Sequence, residues 1–107
     1  YGKYDEHKYG DITLRRMKSW GFNTMGGWSY EGVKNHPKEN RIPYTLSIWT
    51  VYPALMEAFP DVFNDEWETN MNNTIAKASE KVKGDPYFIG FFIDNEMHFI
   101  DKKNIDT

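Results

Sequence analysis

One stretch limits the folds open to this chain more than any other: Asp85-Pro86-Tyr87-Phe88-Ile89-Gly90-Phe91-Phe92-Ile93-Asp94-Asn95-Glu96, an apolar run that stops abruptly at acid. Aromatic and β-branched residues without polar alternation predict a strand over 87–93 that is buried on both faces, as in a parallel sheet covered by helices. Active sites of such sheets lie beyond the carboxyl ends of the strands. Glu96, just past the run, is therefore the first candidate for chemistry, with Asn95 and Asp94 beside it.

The segments before this run alternate helix and strand. Asp11 is suited to cap a helix whose apolar side is Leu14, Met17 and Trp20, with Gly21 as its stop signal. A short strand over 22–25 follows and ends in the turn Gly26-Gly27-Trp28-Ser29, and Ser29 can cap a short helix. A second strand spans 42–49, where Tyr44, Leu46 and Ile48 alternate with Thr45, Ser47 and Trp49. After a proline-punctuated loop over 50–63, the clearest helix starts at Asn64 or Asp65. Its stripe of Trp67, Met71, Ile75, Ala78 and Val82 has helical spacing, and Gly84 ends it. Strand, helix, strand is a βαβ unit, whose crossover makes parallel neighbours.

Three such strands close nothing, and a strand as apolar as 87–93 needs cover on both faces. A (β/α)8 barrel takes about 250 residues, whereas this chain has 107. The expected class is α/β: a fragment of a (β/α)8 TIM barrel covering the second to fourth strands, with residues 1–107 as one partial catalytic domain truncated at both ends. A small complete α/β domain is the competing account.

Composition removes several function classes. The net charge of −3, with Lys and Arg scattered, gives no electrostatic reason to bind nucleic acid or an anionic membrane. No apolar run nears the ~20 residues of a membrane span, and residues 1–10 are not signal-like. The absence of cysteine excludes disulfide and thiol chemistry and leaves the compartment open. His7, His36 and His98 lack metal-ligand spacing, so neither a metal nor another cofactor is expected. Asp94, Asn95 and Glu96 offer oxygen ligands, but three successive residues of a strand point to alternating sides.

Four separated motifs occur in order: Ser19-Trp-Gly-Phe-Asn-Thr-Met-Gly-Gly-Trp-Ser29, Ile42-Pro-Tyr44, Phe59-Pro-Asp-Val-Phe63 and Asp85 to Glu96. Together they resemble the β-agarases of glycoside hydrolase family 50. The Asn95-Glu96 ending resembles the wider clan A of retaining glycosidases, whose acid/base Glu follows an Asn at the end of the fourth barrel strand. The resemblance implies that Glu96 is the acid/base and that Asn95 hydrogen-bonds the sugar hydroxyl next to the anomeric carbon. It also implies a galactan polysaccharide or oligosaccharide as substrate, and a secreted or periplasmic setting. The nucleophilic Glu, in the family at the end of the seventh strand, then lies beyond Thr107.

Chemistry gives that role independent content. A general acid must be protonated at working pH, and Phe91, Phe92 and Ile93 are expected to supply apolar surroundings that raise its pKa. Asp94 adds a like charge if it faces the same space; solvated acids at a strand end are the plain alternative. A second carboxylate is needed about 5–5.5 Å away for retention or about 6.5–9.5 Å away for inversion, and Asp61, Asp65 and Glu66 are better explained by the helix dipole and the surface. Trp28 and Trp49 end the first two strands on the same rim, placed to stack on a galactose ring or to pack in a lid. Asn23 is a candidate for sugar contact or for satisfying backbone, and Asp94 and His98 are candidates for substrate contact. Other readings are a clan A β-galactosidase, a barrel that binds polysaccharide without cleaving it, and a metal-dependent sugar isomerase barrel.

Overall fold

The structure is a computed structural model that describes residues 2–34, 36, 40–56 and 59–97. Its elements in chain order are α1 (Glu6–Ser19), α2 (Glu31–Lys34), β1 (Tyr44–Ile48), β2 (Ala54–Met56), β3 (Phe59–Pro60), α3 (Asp65–Val82) and β4 (Phe88–Ile93). They divide into two compact units, one of residues up to Leu46 with Asp85–Phe91, the other of Ser47–Gly84 with residues from Phe92 on. Among the described residues, no helix is long and apolar enough to cross a membrane.

In the first unit, the cap of α1 is Asp5, whose extended backbone lets its carboxylate accept the Lys8 N–H at 3.1 Å. This corrects the expected start at Asp11. That residue lies inside the helix, where it pairs with Arg15 one turn later at 2.8 Å and accepts from Asn40 Nδ2. The first turn carries charged and exposed residues, so the apolar spacing that marks a helix begins only near Leu14. The helix ends as expected at Gly21, which has φ +83°. The Gly21 N–H donates to Lys18 O and the Phe22 N–H to Met17 O, the paired bonds of a Schellman motif. Trp20, just past the last full turn, is exposed rather than part of the apolar side.

The expected strand over 22–25 contracts to one parallel bridge between Met25 and Tyr44. The Met25 N–H donates to Pro43 O at 2.8 Å, and Thr45 N–H donates to Met25 O at 3.1 Å. Phe22 is exposed, whereas Met25 is buried with Leu14, Val33, Ile42 and Tyr44 to form this unit's core.

A charged knot holds the start of β1 to the start of β4. The Arg41 guanidinium donates to Asp85 Oδ2, Tyr44 Oη donates to the same oxygen at 2.8 Å, and the Tyr87 N–H donates to Asp85 Oδ1 at 3.0 Å. The Arg41 Cζ stands 4.7 Å from the Tyr87 ring centroid and 5.6 Å from that of Tyr44. Burial by itself raises the Asp85 pKa, but the Arg41, Tyr87 and Tyr44 donors outweigh it and hold the carboxyl below its ordinary value. Tyr44 moves the other way, raised by burial and by the carboxylate it donates to.

The second unit contains α3, which keeps its expected bounds. Asn64 caps it, accepting the Glu66 N–H at 2.9 Å, and Gly84 beyond its end has φ +73°. Its stripe is the side withdrawn from water: Trp67, Met71, Ile75 and Ala78 are half-buried and Val82 is buried. The loop after β1 holds an unforeseen antiparallel pair, β2 with β3, supported by the Asp61 N–H donating to Pro53 O at 3.0 Å. Two strands this short, bounded by Pro53 and Pro60, leave no alternation to read.

β1 and β4 pair with their first residues together and their last residues together, which makes them parallel. Tyr44 N–H donates to Tyr87 O at 2.9 Å, and Asp94 N–H donates to Ile48 O at 2.8 Å. The expected burial of β4 on both faces is corrected: Ile89, Phe92 and Ile93 are about 60% exposed. Burial of an apolar strand depends on a layer packed against each face, and the described residues supply no such cover for these side chains.

Candidate functional site

The carboxyl end of β4 is fastened by Asp94. Its backbone N–H continues the parallel ladder to Ile48 O, and its two carboxylate oxygens take both donors of Thr50: the backbone N–H at 2.5 Å and Oγ1 at 2.6 Å. Thr50 is buried, and its own carbonyl accepts the indole N–H of Trp67 at 2.8 Å. Three segments therefore meet at Thr50: the end of β1, the end of β4 and the first turns of α3. The structure shows Asp94 as a clamp on Thr50, in a position that the sequence reading gave to substrate contact.

Thr50→Val keeps the shape of the side chain and removes the hydroxyl donor, leaving Asp94 Oδ2 without its partner. It should lower stability by about 1–2 kcal/mol in a denaturant titration, and Thr50→Ser should lose less. Equal losses for the two variants would show that the hydroxyl is not what holds the clamp.

Beyond the clamp, the backbone leaves the strand conformation. Asp94 has φ +55° and Glu96 has φ +48°, so the alternation of sides expected along 94–96 does not apply. These left-handed residues turn the chain away from the ladder directly after its last bond. Asn95 and Glu96 are exposed, and among the described residues the Glu96 carboxylate makes no hydrogen bond or ion pair. Of the Phe91, Phe92 and Ile93 side chains expected to supply apolar surroundings, Phe92 and Ile93 are largely exposed and Phe91 is half-buried.

Trp49 immediately precedes the clamp and is 46% exposed. It borders a cleft of about 250 Å³ whose other walls are Thr50, Tyr52 and the α3 residues Asn70, Met71, Asn73, Thr74 and Lys77. In the first unit, Trp28 is exposed on a turn that Ser29 N–H closes onto Gly26 O at 3.1 Å. The buried Lys34 braces that turn, its ammonium donating to Gly27 O at 3.0 Å, and burial pushes its amine below the usual lysine range. Asn23 is exposed and accepts from its neighbour Thr24 Oγ1 at 3.0 Å. His98 lies outside the described residues. The structure thus brings Trp49, Asp94, Asn95 and Glu96 into the second unit, while Asn23 and Trp28 belong to the first. No three His, Asp or Glu side chains among the described residues are placed to hold a metal.

The sequence reading missed Thr50. Its signal was faint: a hydroxyl at the end of one strand, opposite an acid at the end of its parallel neighbour, with 44 residues between them.

No family model matches the chain, and no solved structure matches it. Among curated proteins it is similar to β-agarase A of Vibrio sp. (strain JT0107), with 31% identity over 104 residues that cover 86% of this chain and 10% of that protein. It is also similar to β-agarase B of the same strain, with 27% identity over 124 residues covering 97% of this chain and 13% of that protein. The chain spans about a tenth of the length of these curated relatives. At this low identity, it is a distant homologue of a short stretch of each β-agarase.

Proposed function

We propose that this chain is part of the catalytic domain of a glycoside hydrolase that cleaves β-galactosidic bonds in an agarose-like galactan, with Glu96 as acid/base and Asn95 as its sugar-binding neighbour. The observation that carries the reading is the similarity to two β-agarases across most of the chain. The geometry is consistent with it: Asn95 and Glu96 follow directly after the carboxyl end of β4, whose neighbour β1 is parallel, and sites of α/β sheets lie at such ends. In this proposal the domain is a (β/α)8 barrel of the family 50 and clan A type, and the chain supplies its second to fourth strands. The exposed side chains of Ile89, Phe92 and Ile93 support that placement, since they suit a strand covered by the rest of a barrel.

The mechanism follows from an exposed carboxyl just past a strand end. Protonated Glu96 donates to the glycosidic oxygen as the bond to the anomeric carbon breaks. A second carboxylate, outside this chain, forms the glycosyl-enzyme on the opposite face of the ring. Glu96, now ionised, takes a proton from the water that releases the sugar. Two displacements at one carbon restore the starting configuration.

The complete protein incubated with agarose should accordingly release oligosaccharides whose new reducing ends are first seen as the β-anomer by proton NMR. Initial α-anomer would refute the two-step mechanism, and no release of sugar would refute hydrolysis. The latter outcome, with polysaccharide binding retained, would favour a non-catalytic binding barrel.

A further inference from the structure

The geometry points to a separate sugar-binding subsite in the cleft between the Trp49–Tyr52 loop and the side of α3, one that takes a single galactose ring of a galactan chain. This inference rests on the galactan reading above, and extends it to residues that have no part in proton transfer. The cleft measures about 250 Å³, just under the ~300–1,000 Å³ of sites for drug-sized ligands, which suits one pyranose ring rather than an oligosaccharide.

Its walls combine two chemistries. Tyr52 and Trp49 are 71% and 46% exposed, and aromatic faces bury the C–H face of a sugar while their polar edges stay wet. The α3 wall is Met71, from the edge of the apolar stripe, with Asn70, Asn73, Thr74 and Lys77, which fall on one side of the helix at the i, i+3, i+4 and i+7 spacing. Two amides, a hydroxyl and an ammonium present both donors and acceptors, as the hydroxyls of a sugar require. A helix side meant for burial against another helix would instead be apolar, as the Trp67 to Val82 stripe of the same helix is. Thr50 also lines this cleft and clamps Asp94, two residues before Glu96. The subsite is therefore joined through one residue to the segment that bears the acid.

The test is affinity electrophoresis of the complete protein in gels with and without soluble agarose-type galactan, beside kinetics on the polymer and on an aryl β-galactoside. Tyr52→Ala and Asn73→Ala should each weaken retardation by the galactan roughly 3- to 10-fold. They should raise KM for the polymer by a similar factor and leave kcat and the aryl substrate unchanged. Tyr52→Phe, which keeps the ring, should bind like the parent and controls for folding. A parent that is not retarded, or variants retarded as strongly as the parent, would overturn the subsite. A parent that is retarded in a Tyr52-dependent way yet hydrolyses nothing would retain the subsite and reject the catalytic reading.

Discussion

Glu96→Gln in the complete protein is expected, on the proposed acid/base role, to lower kcat on an agarose-type galactan by about 10²- to 10⁴-fold, the usual weight of a general acid/base. The amide keeps the size of the side chain but cannot deliver a proton. Retardation by the galactan in a gel should stay close to that of the parent. Glu96 is exposed and has no partner among the described residues, so the substitution breaks no bond among them. Aryl galactosides with good leaving groups need little protonation to depart, and should lose less in the first step. Added azide should then speed their turnover by attacking the glycosyl-enzyme without help from a base. Asn95→Ala should behave differently, weakening transition-state binding for natural and activated substrates alike. Near-normal hydrolysis of the galactan by Glu96→Gln would remove Glu96 from the role. Asp94, whose two oxygens are engaged by Thr50, would then be tested through Asp94→Asn.

The second large effect concerns Asp85. Asp85→Ala should cost about 3 kcal/mol, because the half-buried Arg41 guanidinium would lose its counter-charge and Tyr44 Oη its acceptor together. A denaturant titration of the complete protein should show the loss, and Arg41→Ala should be comparable. The double variant should cost clearly less than the sum, since the two residues share one interaction. Additive losses would show that the pair is not a unit. The same carboxylate gives a pH dependence of definite sign. The folded pKa of Asp85 is held below its unfolded value, so its contribution is fully present above the unfolded pKa near ~3.9. The contribution falls away as pH drops from there through the folded value. Asp85→Asn should flatten the acid limb of the stability curve over that window, and an unchanged limb would mean that other carboxylates control it.

These expectations rest on features that differ in how openly the sequence displayed them. Helix α3 was legible because cap, stripe and stop signal agree: Asn64, the Trp67 to Val82 spacing and Gly84 all point to one helix. The end of α1 was legible for the same reason at Gly21. Its start was not, since the turn that follows Asp5 is charged and exposed and the apolar spacing begins only beyond Asp11. The short hairpin of β2 and β3 lacked any period, and the strand expected before Gly26 has a single bridged residue. For the candidate site, Asn95 and Glu96 stood out because they end an apolar run. The Thr50 clamp did not, as it depends on the register of two parallel strands distant in sequence. Exposure of Phe92 and Ile93 was hidden for a related reason: residue type records what a side chain prefers to meet, and cover depends on what is packed there.

The left-handed backbone at Glu96 sets durability against the proposed chemistry at a single codon. A residue with a β-carbon held there costs about 1–2 kcal/mol that glycine would not. A search for heat-resistant variants that watched only the melting temperature would therefore be drawn toward glycine at position 96, and each improvement gained there would delete the proposed acid. Screens of this protein for endurance should score product formation in the same round, and libraries meant to raise stability should leave residue 96 unvaried.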